Sequence, residues 1–460
     1  MGGATRVVQA MVVLGGSAAA LLLVSHYWPA SALERQARAA LEAPRSWPGS
    51  NAWADLLFIA RDDLDAAGRQ AALAAHVAAV DDWHMQRHAL LRDNAGKDLE
   101  QLVLPRSPSV HSGKQPALPD ALADCRHGTP QSCLAAVAAH PAVAGQWRDA
   151  HAGYLSRRAA LSAHGHLASP YPQPDAATIL ALFGGYLAGS GRVAQALDHL
   201  QGNQAAAVTG ACQDLATARL LAGRSDSLIA ASTGRRGLED GAAWLAALAD
   251  GWPASQPLPA ACAVVAAPLS VDEVSLCNAF AGEYSLSQGL LADGIAAMGE
   301  GWLAGWLLDA DKTADRAAAN LGRSCLAPAQ AEIAADTAVV LDPAQVPSLW
   351  HIRCLSNATG CLLMDIATPA YRNYVLRMQD AAASQRLLGA WLWLQQQPVQ
   401  GDLASVLAQL PADYQTPARP IGLSGDGHAL EVARHHSGDT RGDTLQLPLP
   451  TAWARAASVR

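Results

Sequence analysis

The chain has 460 residues, a formal net charge of −8 and a pI near 6.0. Only three of its 32 basic residues are lysines (Lys97, Lys114, Lys312), and no concentrated basic stripe is present, so no nucleic-acid partner is expected. Ala dominates, Phe occurs three times and long β-branched runs are rare, which selects a mainly α fold over a sheet architecture.

Residues 7–24, VVQAMVVLGGSAAALLLV, follow a short start, MGGATR. A helix needs about 20 apolar residues to cross a hydrocarbon core. This run of 18 residues, with one Gln (Gln9), is just long enough. Tyr27 and Trp28 follow where interfacial aromatics collect, which favours a retained membrane anchor. The alternative is a cleaved signal, because Ala30-Ser31-Ala32 is a small-x-small site of the kind a signal peptidase cuts. Arg35, Arg38 and Arg45 beyond the segment outnumber Arg6 before it, so charge leaves the orientation open.

Residues 33–43 (LERQARAALEA) read as an amphipathic helix ended by Pro44, and Asn51 as the cap of NAWADLLFIA. Residues 66–92 read as one or two helices, with Leu73, His76, Val77, Val80 and Trp83 spaced by three and four. Turn formers crowd residues 93–120, which read as an exposed linker or long loop. Helices are then expected at 131–168 with a break at Pro141, 175–189, 192–201, 204–223, 225–234, 238–250, 271–293, 294–310, 312–322, 328–337 and 369–397. Several end at Gly with a second helix beginning at once, as in LALFGGYLAGSGRVAQALDHL. Such units are similar to tetratricopeptide hairpins, but no constant period of about 34 residues holds. The expectation is an irregular array of stacked helical hairpins.

The eight cysteines are Cys125, Cys133, Cys212, Cys262, Cys277, Cys325, Cys354 and Cys361. An even number behind an export segment predicts disulfides in an oxidising compartment. Proximity in sequence pairs Cys125 with Cys133, Cys262 with Cys277 and Cys354 with Cys361, leaving Cys212 for Cys325. No CxxC occurs, which argues against a metal framework.

The C-terminus changes character. His428–Val432 and Thr444–Leu447 alternate in polarity between Gly and Asp punctuation, the composition of a small β-hairpin. A long helix, then DLASVLAQLPADY, then a Pro-led turn and a hairpin is similar in order to the tail of type II pseudopilin-like proteins. Leu403, Leu407 and Tyr414 fit that pattern, whereas Thr416-Pro417-Ala418-Arg419-Pro420 replaces its acidic-Pro-Gly turn. The whole chain resembles membrane-anchored envelope proteins of Gram-negative bacteria, which implies a location and no activity.

Few residues suggest chemistry. On a helix, His84 and His88 in VDDWHMQRHALL lie one turn apart, the spacing at which two imidazoles share a metal, with Asp81 and Asp82 just before them. Met85 stands where an HExxH motif places its Glu, so a solvated face around Trp83 is the plainer reading. Ser225, Asp226 and Ser227 lack a nucleophile elbow and read as a helix cap. His164 and His166, and His435 with His436, have no acidic or Cys companion at ligand spacing and read as loop residues. Trp302, Trp306, Trp391 and Trp393 read as helix contacts.

The segments are therefore an anchor or signal (1–32), an N-terminal helical segment and linker (33–120), a helical-hairpin domain (121–368) and a C-terminal helix with hairpin tail (369–460). The expectation is a single-pass inner-membrane protein with its bulk in the periplasm, joined to the membrane through residues 7–24 and bound to an envelope protein partner. No catalytic residue, cofactor or metal ligand is assigned. The alternatives are a periplasmic enzyme acting on a cell-wall or lipid substrate, and an accessory part of a secretion or pilus apparatus.

Overall fold

Local capping chemistry starts several of the helices. A computed structural model describes residues 13–458 apart from 15, 18, 96–101, 174–175, 184–188, 299–306, 341–349, 400–401 and 437–441. Helix α1 (Ala32–Glu42) opens on a full capping box between Ser31 and Glu34. A short helix α2 (Trp53–Leu57) follows, and Asp65 caps the long α3 (Ala66–Asp93). Thr129 caps α4 (Pro130–Ala139), Pro141 opens α5 (Pro141–Ala150), and α6 (Ala152–Ala160) completes that stretch.

The centre is a helical hairpin, α7 (Ser190–Leu200) leading to α8 (Gln204–Gly223) and its antiparallel partner α9 (Leu228–Ala249). Two expected helices, 225–234 and 238–250, are this single α9. Gly234 and Gly237 do not break it. They form the contact with α8, where a Cβ on Gly237 would lie 2.9 Å from that of Ala218. Small residues let the two backbones approach, and burial of the seam outweighs the weak helix propensity of Gly.

Helices α10 (Cys277–Met298), α11 (Ala310–Leu321) and α12 (Ala327–Ala334) follow. The expected helix 294–310 begins inside α10, and its residues 299–306, with Trp302 and Trp306, lie outside the described residues. The last long helix, α13 (Ala358–Gln395), begins well before the expected 369 and contains Pro369. It packs on α9 and supports a three-stranded antiparallel sheet, more than a hairpin: β1 (Gly422–Leu423), β2 (Ala429–Ala433) and β3 (Thr444–Pro448). The pairs Leu430 with Leu447 and Val432 with Leu445 turn inward, while Glu431 and Gln446 face out. A final helix, α14 (Thr451–Ser458), sets Trp453 against the Leu394 carbonyl.

The core has two parts. The larger runs from α1 through α7–α13 to the sheet; the smaller gathers Trp53, Phe58, Leu73, Tyr154 and Tyr171. The stretch at 102–118 is pinned to the body by Trp83 Nε1 on the Pro105 carbonyl and Trp147 Nε1 on the Ala117 carbonyl, each at 2.8 Å.

All eight cysteines are paired, but two of the expected pairings are wrong. Cys125–Cys133 and Cys354–Cys361 are present. Cys262 pairs with Cys212 and Cys277 with Cys325, not Cys262 with Cys277 or Cys212 with Cys325. Cys262 sits on a turn folded back over α8, which carries Cys212. Cys277 opens α10 and points the other way, towards the turn that closes α11 and holds Cys325. Tertiary packing overrides proximity in sequence.

Residues 19–26 are helical, while 7–12 of the apolar segment lie outside the described residues. Among the described residues no single helix is long and apolar enough to cross a membrane. One pair bent by 73°, Ala260–Ala266 with Val271–Ala296, passes on length and composition, and it buries Val265, Phe280 and Tyr284 in the core.

Candidate functional site: the junction below the apolar segment

Asp309 caps α11 and thereby fixes Lys312 in its first turn, 3.4 Å from the Asp309 carboxylate. Lys312 is buried, and its ammonium donates to the Ser356 hydroxyl at 2.7 Å and to the Ser25 carbonyl at 3.1 Å. The Ser25 hydroxyl accepts from the Ser356 N–H and donates to the Ser356 hydroxyl, both at 2.9 Å. Both serines are fully buried. Burial pushes the Lys312 ammonium below its ordinary range, opposed by Asp309. Asn357 braces the floor, its Oδ1 accepting from the Asp309 N–H at 2.8 Å with the Thr313 hydroxyl 3.0 Å away.

A second layer clamps the backbone just beyond Ser25. Glu34, buried in the first turn of α1, pairs with Arg353 at 2.7 Å, and Arg353 also pairs with Asp315 on α11. Arg38 of α1 reaches Asp315 from the other side at 3.0 Å. Buried charges are tolerated when paired, and Glu34, Arg353 and Asp315 each are, although Arg353 Nε and Nη1 donate no hydrogen bond. The backbone directly after the apolar segment is therefore held on the body at Ser25 and along α1.

The residues singled out from sequence go to several places. His84 and His88 do lie on one helix; His88 comes within 3.8 Å of Asp293 on α10, whose other oxygen holds Arg87 at 2.5 Å. Asp82 accepts from Gln86 and Asp81 is exposed. Among the described residues no group of three or more His, Cys, Asp or Glu is placed to hold a metal ion. Ser227 caps α9 as expected, accepting from the Ala230 N–H, and Ser225 donates to the Leu221 carbonyl. Asp226 accepts from the Ser169 N–H at 2.7 Å, and burial pushes its carboxyl up to about 6.

His435 and His436 donate their backbone N–H groups to the buried Asp380, and the His435 ring meets the Asp336 carbonyl at 3.0 Å. Trp391 is buried with its indole N–H on the Pro448 carbonyl, and Trp393 packs against the same core. An open polar groove of about 470 Å³ lies between α9, α13 and the sheet, with Glu239, Asp240, Ser384 and Arg434 on its walls.

One constellation was not visible in the sequence. The Ser50 hydroxyl lies 2.9 Å from His164 Nδ1, and His164 Nε2 lies 3.1 Å from the Asp55 carboxylate, whose other oxygen holds Arg69 at 2.6 Å. The His164 hydrogen bond, seconded by Arg69, holds the Asp55 carboxyl below its ordinary range. An ionised Asp55 places the ring proton on Nε2 and leaves Nδ1 to accept from Ser50. His164 and Ser50 are 114 residues apart, so no spacing motif could reveal them.

No family model matches the chain, and neither a curated protein nor a solved structure matches it.

Proposed function

We propose that the chain is a tethered protein of the bacterial envelope. Residues 7–24 stay in the inner membrane, the bulk lies in the periplasm, and the helical array acts as a non-enzymatic scaffold for a protein partner. Its likeness in order to pseudopilin-like tails makes a secretion or pilus apparatus one setting for that partner. The observation that carries the reading is the burial of Ser25 beneath Lys312 and Ser356. Cleavage after Ala32 would remove Ser25 and strip the buried ammonium of one acceptor, so the junction supports a retained segment over a cleaved one. Four disulfides are compatible with an oxidising compartment.

The intact mass of the protein isolated from membranes, followed by crosslinking and capture of its partner, tests the reading. A mature chain starting at Leu33 would sink the tether, and absence of any protein crosslink would sink the scaffold.

A hydrolase is the second reading, and it rests on Ser50, His164 and Asp55. There His164 takes the Ser50 proton as Ser50 attacks an ester or amide carbonyl. Labelling by a fluorophosphonate, lost in both Ser50→Ala and His164→Gln, would favour it; an unlabelled folded protein would reject it.

A further inference from the structure

We infer that the body of the protein lies on the bilayer, with the surface around the anchor junction seated at the boundary between headgroups and acyl chains. The inference deepens the tether reading and rests on it.

Polarity at this surface runs outward from charged to apolar. Between residues 350 and 366 the two charged side chains are Arg353 and Asp365. Both are engaged inward, Arg353 by Glu34 and Asp315, Asp365 by Arg316 at 2.5 Å. Five large apolar side chains of the same stretch are exposed, Trp350 at 92%, Ile366 at 69%, and Leu355, Leu362 and Leu363, while Ile352 is half-buried and Met364 packs on the core. Leu362 and Ile366 are one helical turn apart on α13, so they share a face. Apolar residues scattered singly over a surface need no explanation, but a contiguous face with its charges turned inward does.

Position supplies the occupant. Ser356, in the middle of the stretch, holds Ser25, and His351 meets the ring of Trp28 edge-on at 6.3 Å. Tyr27 and Trp28 are themselves exposed, and they follow the apolar segment directly in the chain. Ala358 to Ile366 rises about 12 Å along α13 and Ser356 stands two residues before that helix, so Ile366 lies within about 20 Å of Ser356. A segment entering a bilayer here brings the lipid surface towards this face. Trp and Tyr beside Leu and Ile are the residue types that settle at such a boundary.

The test uses the full chain reconstituted in phosphatidylethanolamine–phosphatidylglycerol vesicles. A diazirine amino acid replaces Trp350, Leu362 or Ile366 in turn, and as a control Leu200, an exposed apolar residue on a different part of the surface. Lipid adducts at the first three positions should exceed those at Leu200 at least tenfold. The double variant Leu362→Asp/Ile366→Asp, with the diazirine at Trp350, should lose those adducts while remaining in carbonate-washed vesicles. A carbonate-resistant chain with adducts no more frequent than at Leu200 would overturn the seated face and leave the tether standing. Protein–protein adducts in place of lipid would overturn it in favour of a second copy or partner. Release of the chain by carbonate would overturn the tether and the seated face with it.

Discussion

Asp380 and Arg419 face each other at 2.8 Å across the seam between α13 and the C-terminal segment, each side chain only 2% exposed. Asp380 also receives the backbone N–H groups of His435 and His436, and Arg419 also binds Asp336, which holds Arg386 in turn. One buried charge network thus fastens the small sheet to the helical body.

Removing Asp380 takes the carboxylate from Arg419 Nη1 and the acceptor from the backbone N–H groups of His435 and His436 in a dry site. Asp380→Ala should cost about 3–5 kcal/mol. Denaturant unfolding of variant and parent checks this, and a loss below about 1 kcal/mol would mean that the pair is solvated in solution.

Peptide mapping of the non-reduced protein should give Cys125–Cys133, Cys212–Cys262, Cys277–Cys325 and Cys354–Cys361. Loop-closure entropy makes the bridge across 50 residues worth about 4 kcal/mol, against about 2.5 kcal/mol for the one across eight. The double variant Cys212→Ala/Cys262→Ala should therefore lose more stability than Cys125→Ala/Cys133→Ala.

Asp226 should impose a slope on stability between pH 4 and pH 6. Its carboxyl is raised from 3.8 to about 6 by burial, so within that window the folded chain holds a proton that the unfolded chain has released. Stability is full below the window and falls as pH rises through it, by on the order of 2–3 kcal/mol. Asp226→Asn keeps an acceptor for the Ser169 N–H and should flatten this slope. Parallel curves for variant and parent would show that Asp226 does not titrate in this range.

Gly237→Leu should push α8 and α9 apart. The existing Ala218 side chain already occupies the space a Cβ would take, and overpacking of this kind costs about 1–3 kcal/mol. Gly251→Ala is the comparison for steric room, since nothing lies near its Cβ position, although its φ of +82° adds local strain. Thermal unfolding of both variants checks the contrast.

What could be read from the sequence was local. The stop of the first helix before Pro44, the break at Pro141, Ser227 as a cap and the bounds of α8 all rest on interactions within a few residues, and all are present. Glycines misled because one residue type serves both to end helices and to let them touch. Gly234 and Gly237 do the second, and nothing within α9 itself distinguishes the two uses. Cysteine pairing failed for a related reason: proximity along the chain says nothing about which way α10 points when Cys277 opens it. The junction was beyond reach altogether, since Lys312 lies 287 residues from Ser25 and Ser356 lies 331 from it. Lys312 stood out only as a rare lysine.

The four disulfides pair the cysteines strictly in order of appearance, first with second, third with fourth, fifth with sixth and seventh with eighth. No loop encloses or crosses another. If the part beyond residue 24 emerges into an oxidising compartment in chain order, each cysteine that finds no earlier thiol waits for the next to emerge, and each pair closes before the following one begins. An oxidant that joins thiols as they arrive therefore writes the native connectivity without a step that erases wrong bonds. Loss of a disulfide isomerase should leave the yield of folded protein unchanged, whereas loss of the oxidase should abolish it.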